Sequence, residues 1–203
     1  MTTPLFQPDL FGKAFDPSRG RIELSATSWI EWLPGWLEEP GALFECLRAS
    51  LPWEQRDRRM YEKTVTEPRL TAEIADVALA PSSLRAAAER LHTQYRVWYD
   101  HLWVNFYRDG RDSTAWHGDR ISCRRDDCIV PVLTLGATRR FLIKPRDGGP
   151  AQALWPDSGD LVVMGGRCQV DWVHSVPKAP DVGAPRISVN FQSSEQSRVT
   201  RRR

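Results

Sequence analysis

The chain has 203 residues, of which 41% are hydrophobic and 27% charged, a composition typical of one globular domain that excludes disorder throughout. Four cysteines without a CxxC pair exclude a disulfide scaffold or cysteine-rich zinc module and favour a reducing compartment. No segment approaches the ~20 apolar residues of a membrane helix, and the first residues lack a signal-peptide pattern. A soluble cytoplasmic protein is therefore expected, with a monomer as its simplest state.

Short elements are predicted in the N-terminal half. Residues 1–28 are interrupted by Pro and Gly and indicate an irregular arm with short strands. Residues 29–33 read as a strand, and the apolar spacing predicts helices over 40–51 and 82–95. Residues 52–80 are charged and irregular, with possible strands.

The pattern changes near residue 97, where short strand-like runs begin to alternate with turn residues. The predicted strands cover 101–107, 129–135, 140–144, 160–164, 172–174 and 186–191. Such spacing is typical of a β-sandwich or barrel. The expected organisation is one α+β, mainly β domain with a mixed N-terminal part (1–96), a β core (97–194) and a basic tail (195–203). Cys123 and Cys128 are expected to be unpaired thiols.

The net charge of +2 is unevenly distributed along the chain. Residues 108–146 contain nine Lys or Arg against five Asp, and the tail adds four further Arg. Local basic segments are compatible with phosphate contact. A solvated face with a disordered tail is an equal alternative on charge alone.

Three residues suggest a metal site. His117 and Asp119 stand at i and i+2, so in an extended segment they share a face. His174 follows 55 residues later, at a predicted strand end, from where it could supply a third ligand. Two imidazoles and one carboxylate bind Fe(II) and leave positions open for substrate and oxygen. A His-x-Asp pair alone occurs often by chance, and a lone strand histidine is more often part of the core.

A polar pocket is suggested next to these residues. Arg186 begins the last predicted strand, where a guanidinium inside a barrel is costly unless it meets an anion. A dicarboxylate would supply that anion with bidentate geometry. Asn105 and Tyr107 share a face on an earlier strand, and their amide and phenol groups could complete the pocket.

The combined pattern resembles the AlkB family of Fe(II)- and 2-oxoglutarate-dependent dioxygenases. The resemblance rests on Asn105-x-Tyr107-x-x-Gly110, His117-x-Asp119, Trp172-x-His174-x-x-Pro177 and Arg186 with Asn190-Phe191, in order over residues 98–192. Leu33-Pro34-Gly35-Trp36-Leu37 and Pro68-Arg69 resemble the family's N-terminal nucleotide-recognition region.

The resemblance implies a fold, cofactors and residue roles. The fold would be a double-stranded β-helix, or jelly roll, with residues 1–96 as a lid. Fe(II) would be held by His117, Asp119 and His174. The implied cosubstrate-binding residues, which would hold 2-oxoglutarate, are Asn105, Tyr107, Arg186, Asn190 and Gln192.

The implied reaction is O2-dependent removal of alkyl groups from nucleic-acid bases, by ferryl hydroxylation and aldehyde release, with alkylated DNA expected rather than RNA. The base must leave the stack to reach iron. Tyr61, Arg69 and Ile121 are the candidate substrate contacts. An AlkB-like oxygenase acting on RNA, protein or a small molecule stays open, as does a non-catalytic nucleic-acid-binding relative.

Two positions depart from the family's pattern. Many relatives carry a second Arg where this chain has Gln192, so cosubstrate affinity could be weaker, or another cation such as Arg140 or Lys144 could compensate for the missing charge. Repair members often carry an acid where this chain has Ile121, which cannot attract a cationic base. Asp126 or Asp127 could take that role, or neutral lesions such as etheno adducts could be preferred.

Overall fold

The computed structural model describes residues 20–60, 63–119, 123 and 126–197. The strands are Arg21–Glu23 (β1), Ser28–Leu33 (β2), Glu54–Met60 (β3), Lys63–Ile74 (β4), His101–Tyr107 (β5), Thr114–His117 (β6), Cys128–Gly136 (β7), Phe141–Pro145 (β8), Gln152–Leu154 (β9), Leu161–Gly166 (β10), Trp172–Val176 (β11) and Arg186–Gln192 (β12). The helices are Pro40–Ser50 (α1), Ser82–Tyr95 (α2), Cys168–Asp171 (α3) and Ser194–Ser197 (α4), with a 3-10 turn at Val77–Leu79.

Two antiparallel sheets form the core. The larger has eight strands in the order β1-β2-β10-β7-β12-β5-β4-β3, and the smaller has four in the order β6-β11-β8-β9. An apolar cluster with members from both sheets, including Val132, Val162, Ile143 and Trp172, lies between them. The predicted α+β, mainly β class with a double-stranded β-helix core is therefore confirmed.

Alternation along β12 divides the large sheet into two chemically different faces. Ile187, Val189 and Phe191 join the apolar cluster that contains the helices. Arg186 and Ser188 belong to the opposite face and line a cavity between the sheets. Because side chains of a strand alternate between faces, one strand serves both the core and the cavity.

The two long helices cover the outer face of the large sheet. Helix α1 begins with Pro40, whose fixed φ suits the first turn. Helix α2 buries Leu84, Ala87, Ala88 and Leu91 along one stripe. Both expected helices are present to within one residue of their predicted ends.

Strands from both sides of residue 97 belong to the same sheet. Strand β2 pairs with β10, and β4 pairs with β5. The charged section 52–80 forms the β3–β4 hairpin. The short strand β1 lies in the arm that was expected to contain short strands. Strands β6 and β9 have only three or four residues each, too few for a clear alternating pattern, so they escaped prediction.

The expectation of unpaired thiols at Cys123 and Cys128 is wrong, because the structure joins them in a disulfide. Their Cα atoms lie 5.9 Å apart, within the usual range for a disulfide. The turn that leads into β7 returns the chain to this distance, and nothing in the spacing of the two residues signals that return. Among the described helices, none combines the length and the apolar character needed to cross a membrane.

Candidate metal centre and adjoining cavity

Two strands and one turn bring His117, Asp119 and His174 together. His117 ends β6 and lies directly opposite His174 of β11 in the strand register. Asp119 follows two residues after His117, and each of its two oxygens lies 3.5 Å from the Nε2 atom of one histidine. All three donor atoms lie within 4.8 Å of one another. The antiparallel pairing of β6 and β11 therefore places His117 beside His174, 57 positions later in the chain.

The protonation states of the cluster suit a metal ion. His117 donates its Nδ1 proton to the carbonyl of Ala115 at 2.8 Å, which turns Nε2 toward Asp119. Burial lowers the pKa of His174 to about 4, so this imidazole is neutral at pH 7. Burial opposes ionisation of Asp119, but the neighbouring histidines lower its pKa to about 2, so the carboxylate is ionised at pH 7. Burial also lowers the pKa of His117, but Asp119 outweighs burial and raises that pKa overall, so a metal ion would displace the proton that His117 binds at Nε2.

One oxygen of Asp119 supports the same conclusion. Its Oδ2 atom is buried and has no hydrogen-bond partner among the described residues. A buried polar atom without a partner is costly, and a metal ion would satisfy it. Two imidazoles with one carboxylate are the ligand set of non-heme Fe(II) oxygenases. The residues present therefore fit an iron ion.

A cavity of about 110 Å³ opens beside the cluster. His117, Asp119 and His174 line it. So do the five residues predicted to bind the cosubstrate and one predicted substrate contact: Asn105, Tyr107, Arg186, Asn190, Gln192 and Arg69. The structure thus brings together nine of the eleven predicted site residues. The other two, Tyr61 and Ile121, lie outside the described residues.

Arg186 gives this cavity a buried positive charge. Its side chain is 2% exposed, and one terminal nitrogen donates to the hydroxyl of Thr134 at 3.1 Å. Its Nε has no hydrogen-bond partner among the described residues. Burial lowers the pKa of this guanidinium below its usual value. A buried cation with unused donors is suited to binding an anion that enters the cavity.

Tyr107 and Asn105 are held in place by short contacts. The hydroxyl groups of Tyr107 and Thr114 lie 2.7 Å apart. The Asn105 amide donates to Ser188 at 3.2 Å, and its oxygen accepts from the indole of Trp103 at 3.2 Å. Both side chains therefore enter the cavity in fixed orientations.

A bulge in β4 directs Arg69 into the cavity. Asp57 pairs with Thr66 while Gln55 pairs with Leu70, so the three residues 67–69 of β4 lie opposite the single residue 56 of β3. Bulges commonly redirect side chains next to active sites. Arg69 donates to Asn105 at 2.9 Å and lies 3.3 Å from a carboxylate oxygen of Glu67. The bulge explains how an edge hairpin supplies a residue to the centre of the molecule.

The cations proposed to compensate for Gln192 do not line the cavity. Lys144 lies over the ring of Trp116, 4.5 Å from its centroid. Arg140 is likewise absent from the lining residues. The positive charge that does line the cavity, besides Arg186, is that of Arg69. Asp126, considered as a substitute acid for base binding, pairs with Arg167 at 2.7 Å.

The sequence analysis missed three residues that line the cavity and one buried arginine that lies behind it. Thr114, Ser188 and Trp103 line the cavity and position the predicted residues. Ser188 follows Arg186 by two positions, so strand alternation alone would have found it. Arg139 had no such signal: it is 2% exposed and lies behind Tyr107, with its guanidinium carbon 5.7 Å from the ring centroid.

Comparison with known proteins identifies the class. The model of the 2OG-Fe(II) oxygenase superfamily matches residues 47–198. The chain is 30% identical to mouse alpha-ketoglutarate-dependent dioxygenase alkB homolog 3 over 85% of this chain and 69% of that protein. It is 27% identical to the Arabidopsis thaliana DNA oxidative demethylase ALKBH2, over 87% of this chain and 69% of that protein.

Two solved structures share the fold. An oxidoreductase of the 2OG-Fe(II) oxygenase family from Burkholderia pseudomallei matches with a TM-score of 0.54 at 18% identity, over 84% of this chain and 89% of that one. OsALKBH1 matches with a TM-score of 0.54 at 14% identity, over 85% and 99%. The chain belongs to the 2OG-Fe(II) oxygenase superfamily and, within it, to the AlkB family. It is an oxidoreductase that uses Fe(II) and 2-oxoglutarate.

Proposed function

We propose that this protein removes alkyl groups from the bases of nucleic acids, and that alkylated DNA is its preferred substrate. The proposal rests on one observation: in this AlkB-family chain, the cluster of His117, Asp119 and His174 lines the same cavity as the buried guanidinium of Arg186, whose Nε has no hydrogen-bond partner among the described residues. The names of two similar proteins, a dioxygenase of the alkB type and a DNA oxidative demethylase, support the nucleic-acid substrate.

Each half of the cavity has its own task in this proposal. His117, Asp119 and His174 hold iron. When bound, iron and 2-oxoglutarate supply the O2-dependent hydroxylation of an N-alkyl carbon, after which the alkyl group leaves as an aldehyde. Arg186 would pair with a carboxylate of 2-oxoglutarate, the kind of anion that a guanidinium binds well.

The remaining polar groups orient the cosubstrate and keep the cavity selective. Tyr107 and Asn105 donate hydrogen bonds to its oxygens. Gln192 contributes an amide at the position where many relatives carry a charged arginine. Arg186 therefore supplies more of the free energy of cosubstrate binding. Apolar side chains such as Val132 and Phe141 also line the cavity and exclude water, which strengthens these polar contacts.

The nucleic acid approaches from the side of the β3–β4 hairpin. β3 is an edge strand of the large sheet, and its guanidinium at Arg56 stacks on the indole of Trp103, 4.3 Å from the ring centroid. Arg69 lies deeper, within the cavity. Basic side chains beside an opening attract phosphates, and the damaged base must rotate out of the stack to enter.

A pooled-substrate experiment tests the proposal. Oligonucleotides of DNA and RNA that carry methylated or etheno bases are incubated with the protein, Fe(II), ascorbate and 2-oxoglutarate, and analysed by mass spectrometry. A His117→Ala variant serves as the control. Loss of a base modification with the wild type alone, greater in DNA than in RNA, is the expected result.

Other outcomes contradict the proposal in distinct ways. Greater loss in RNA overturns the preference for DNA. Succinate formed above the control without any base change overturns the nucleic-acid substrate and directs the search to proteins or small molecules. A pool in which cationic methylated bases disappear and etheno bases do not would show that the pocket needs no acid at position 121.

A further inference from the structure

A buried glutamine links the two distant parts of the metal cluster. Gln169 lies in α3 and is 1% exposed. Both ends of its side-chain amide are used: Oε1 accepts from the backbone N–H of Asp119 at 2.8 Å, and Nε2 donates to the sulfur of Met164 at 3.4 Å. Burying an amide costs free energy unless it is hydrogen-bonded, so its geometry is strongly defined.

The backbone of Asp119 is held on both sides. Its N–H donates to Gln169, and its carbonyl accepts from the N–H of Cys123 at 3.0 Å. Asp119 follows β6, in a segment without regular strand or helix hydrogen bonds. The contact with Gln169 therefore takes the place of secondary structure in setting where this carboxylate points.

The segment that carries Gln169 is itself rigid. Arg146 donates to the carbonyls of Gln169 at 3.1 Å, Val170 at 2.7 Å and Trp172 at 3.3 Å. Trp172 is the first residue of β11, the strand that contains His174. One anchored segment thus carries the His174 ligand and also the side chain that holds Asp119.

Glycine between the two N-terminal ligands permits this approach. A Cβ at Gly118 would lie 2.7 Å from the carbonyl oxygen of Gln169 and 2.7 Å from a terminal nitrogen of Arg146. The turn after His117 is therefore packed directly against α3, and any side chain at Gly118 would push the two apart.

We propose that Gln169 is a positioning residue that fixes the Asp119 carboxylate relative to His174 and thereby sets the affinity of the site for its divalent metal. It contacts the ligand through the backbone and touches neither substrate nor cosubstrate. The inference concerns the metal site alone, so it stands or falls independently of the proposed nucleic-acid substrate.

Metal titration without substrate tests this role. The affinities of the metal-free protein for Mn(II) and Co(II) are measured by calorimetry, and the Co(II) absorption spectrum reports ligand geometry. Gln169→Met keeps the side-chain volume but removes the acceptor for Asp119. Loss of a group that orients a metal ligand typically costs about 10–100-fold in metal affinity, so a weakening of that size and an altered Co(II) spectrum are expected.

A matched control separates positioning from packing. Met164→Leu removes the partner of the other end of the Gln169 amide and leaves the bond to Asp119 intact, so metal affinity should change by less than about twofold. Gln169→Asn keeps the amide but shortens its reach, and should also weaken metal binding. This second variant decides the matter if Gln169→Met does not fold, as judged by the melting temperature of the metal-free protein.

Two results would overturn the proposal. One is unchanged metal affinity in a folded Gln169→Met or Gln169→Asn variant. The other is an equal loss of affinity in Met164→Leu, which would show that the amide only fills the core.

Discussion

Replacing Arg186 with methionine should stabilise the cosubstrate-free protein while it destroys cosubstrate binding. Arg186 is buried, its Nε has no hydrogen-bond partner among the described residues, and its described hydrogen bond is to Thr134. Replacing buried charges with apolar side chains of similar volume is often stabilising by about 1–4 kcal/mol. Losing the hydrogen bond to Thr134 costs about 1 kcal/mol of stability, which offsets part of this gain.

A net gain of about 0–3 kcal/mol remains, which raises the melting temperature of a chain of this size by up to roughly 12 °C. Binding should change in the opposite direction. A carboxylate held by two charge-assisted hydrogen bonds loses at least about 3 kcal/mol. This corresponds to a dissociation constant for 2-oxoglutarate at least about 100-fold higher. Calorimetry on the Mn(II)-loaded protein measures the dissociation constant, and scanning calorimetry without cosubstrate measures the melting temperature.

Arg139 provides a matched control with the opposite sign. It is equally buried and also lies beside the Tyr107 ring, but it donates to three backbone carbonyls, those of Asp109, Asp112 and Pro177. Arg139→Met also removes a buried charge, a gain of about 1–4 kcal/mol, but it leaves three carbonyls without their donor at about 1–3 kcal/mol each, a total of about 3–9 kcal/mol. Its melting temperature should therefore fall below that of the wild type.

The reasoning fails if Arg186→Met melts below the wild type, or if it binds 2-oxoglutarate within about threefold of the wild type. The first result would mean that this buried charge is already compensated in the free protein. The second would move the carboxylate-binding role to another side chain. An Arg139→Met variant as stable as the wild type would show that lost hydrogen bonds and removed buried charge do not predict the free energy of unfolding at this site.

Three further changes have expected outcomes. Cys123→Ser combined with Cys128→Ser opens a loop with a sequence separation of 5, and chain entropy predicts a loss of about 2 kcal/mol, measured by denaturant unfolding under non-reducing conditions. Gly118→Ala should weaken Mn(II) binding by about 10-fold or more, because the new Cβ would collide with the backbone of α3. Arg69→Gln removes a charge from the cavity wall and should raise the KM for the oligonucleotide about tenfold, with a smaller rise for 2-oxoglutarate.

Each of these expectations has a contrary result. Identical unfolding of the oxidised wild type and the double serine variant would mean that the disulfide adds no stability. Unchanged Mn(II) affinity in Gly118→Ala would mean that the turn relaxes away from α3 at no cost to the site. A larger increase in KM for 2-oxoglutarate than for the oligonucleotide in Arg69→Gln would assign this side chain to the cosubstrate rather than to the nucleic acid.

Local sequence patterns were enough to predict several strands, both long helices and the metal ligands of this protein. Strand β12 could be predicted because arginine, serine and asparagine alternate with apolar residues. Such alternation gives the strand one polar face inside a β core. Helices α1 and α2 follow from apolar spacing and from their proline-marked starts. The metal ligands His117 and Asp119 were found because their two-residue spacing is followed, in order, by His174 and Arg186, whereas the pair alone is common by chance.

Tertiary structure decided what no local pattern records. The bulge in β4 that sends Arg69 into the cavity and the hydrogen bond from Asp119 to Gln169 join segments brought together by strand pairing, and the disulfide of Cys123 with Cys128 depends on the path of the loop before β7. Such contacts depend on register and loop path over the whole sheet. The sequence by itself therefore determined which groups do the chemistry, while the fold alone decided their neighbours, because distances between remote residues are set by long-range packing.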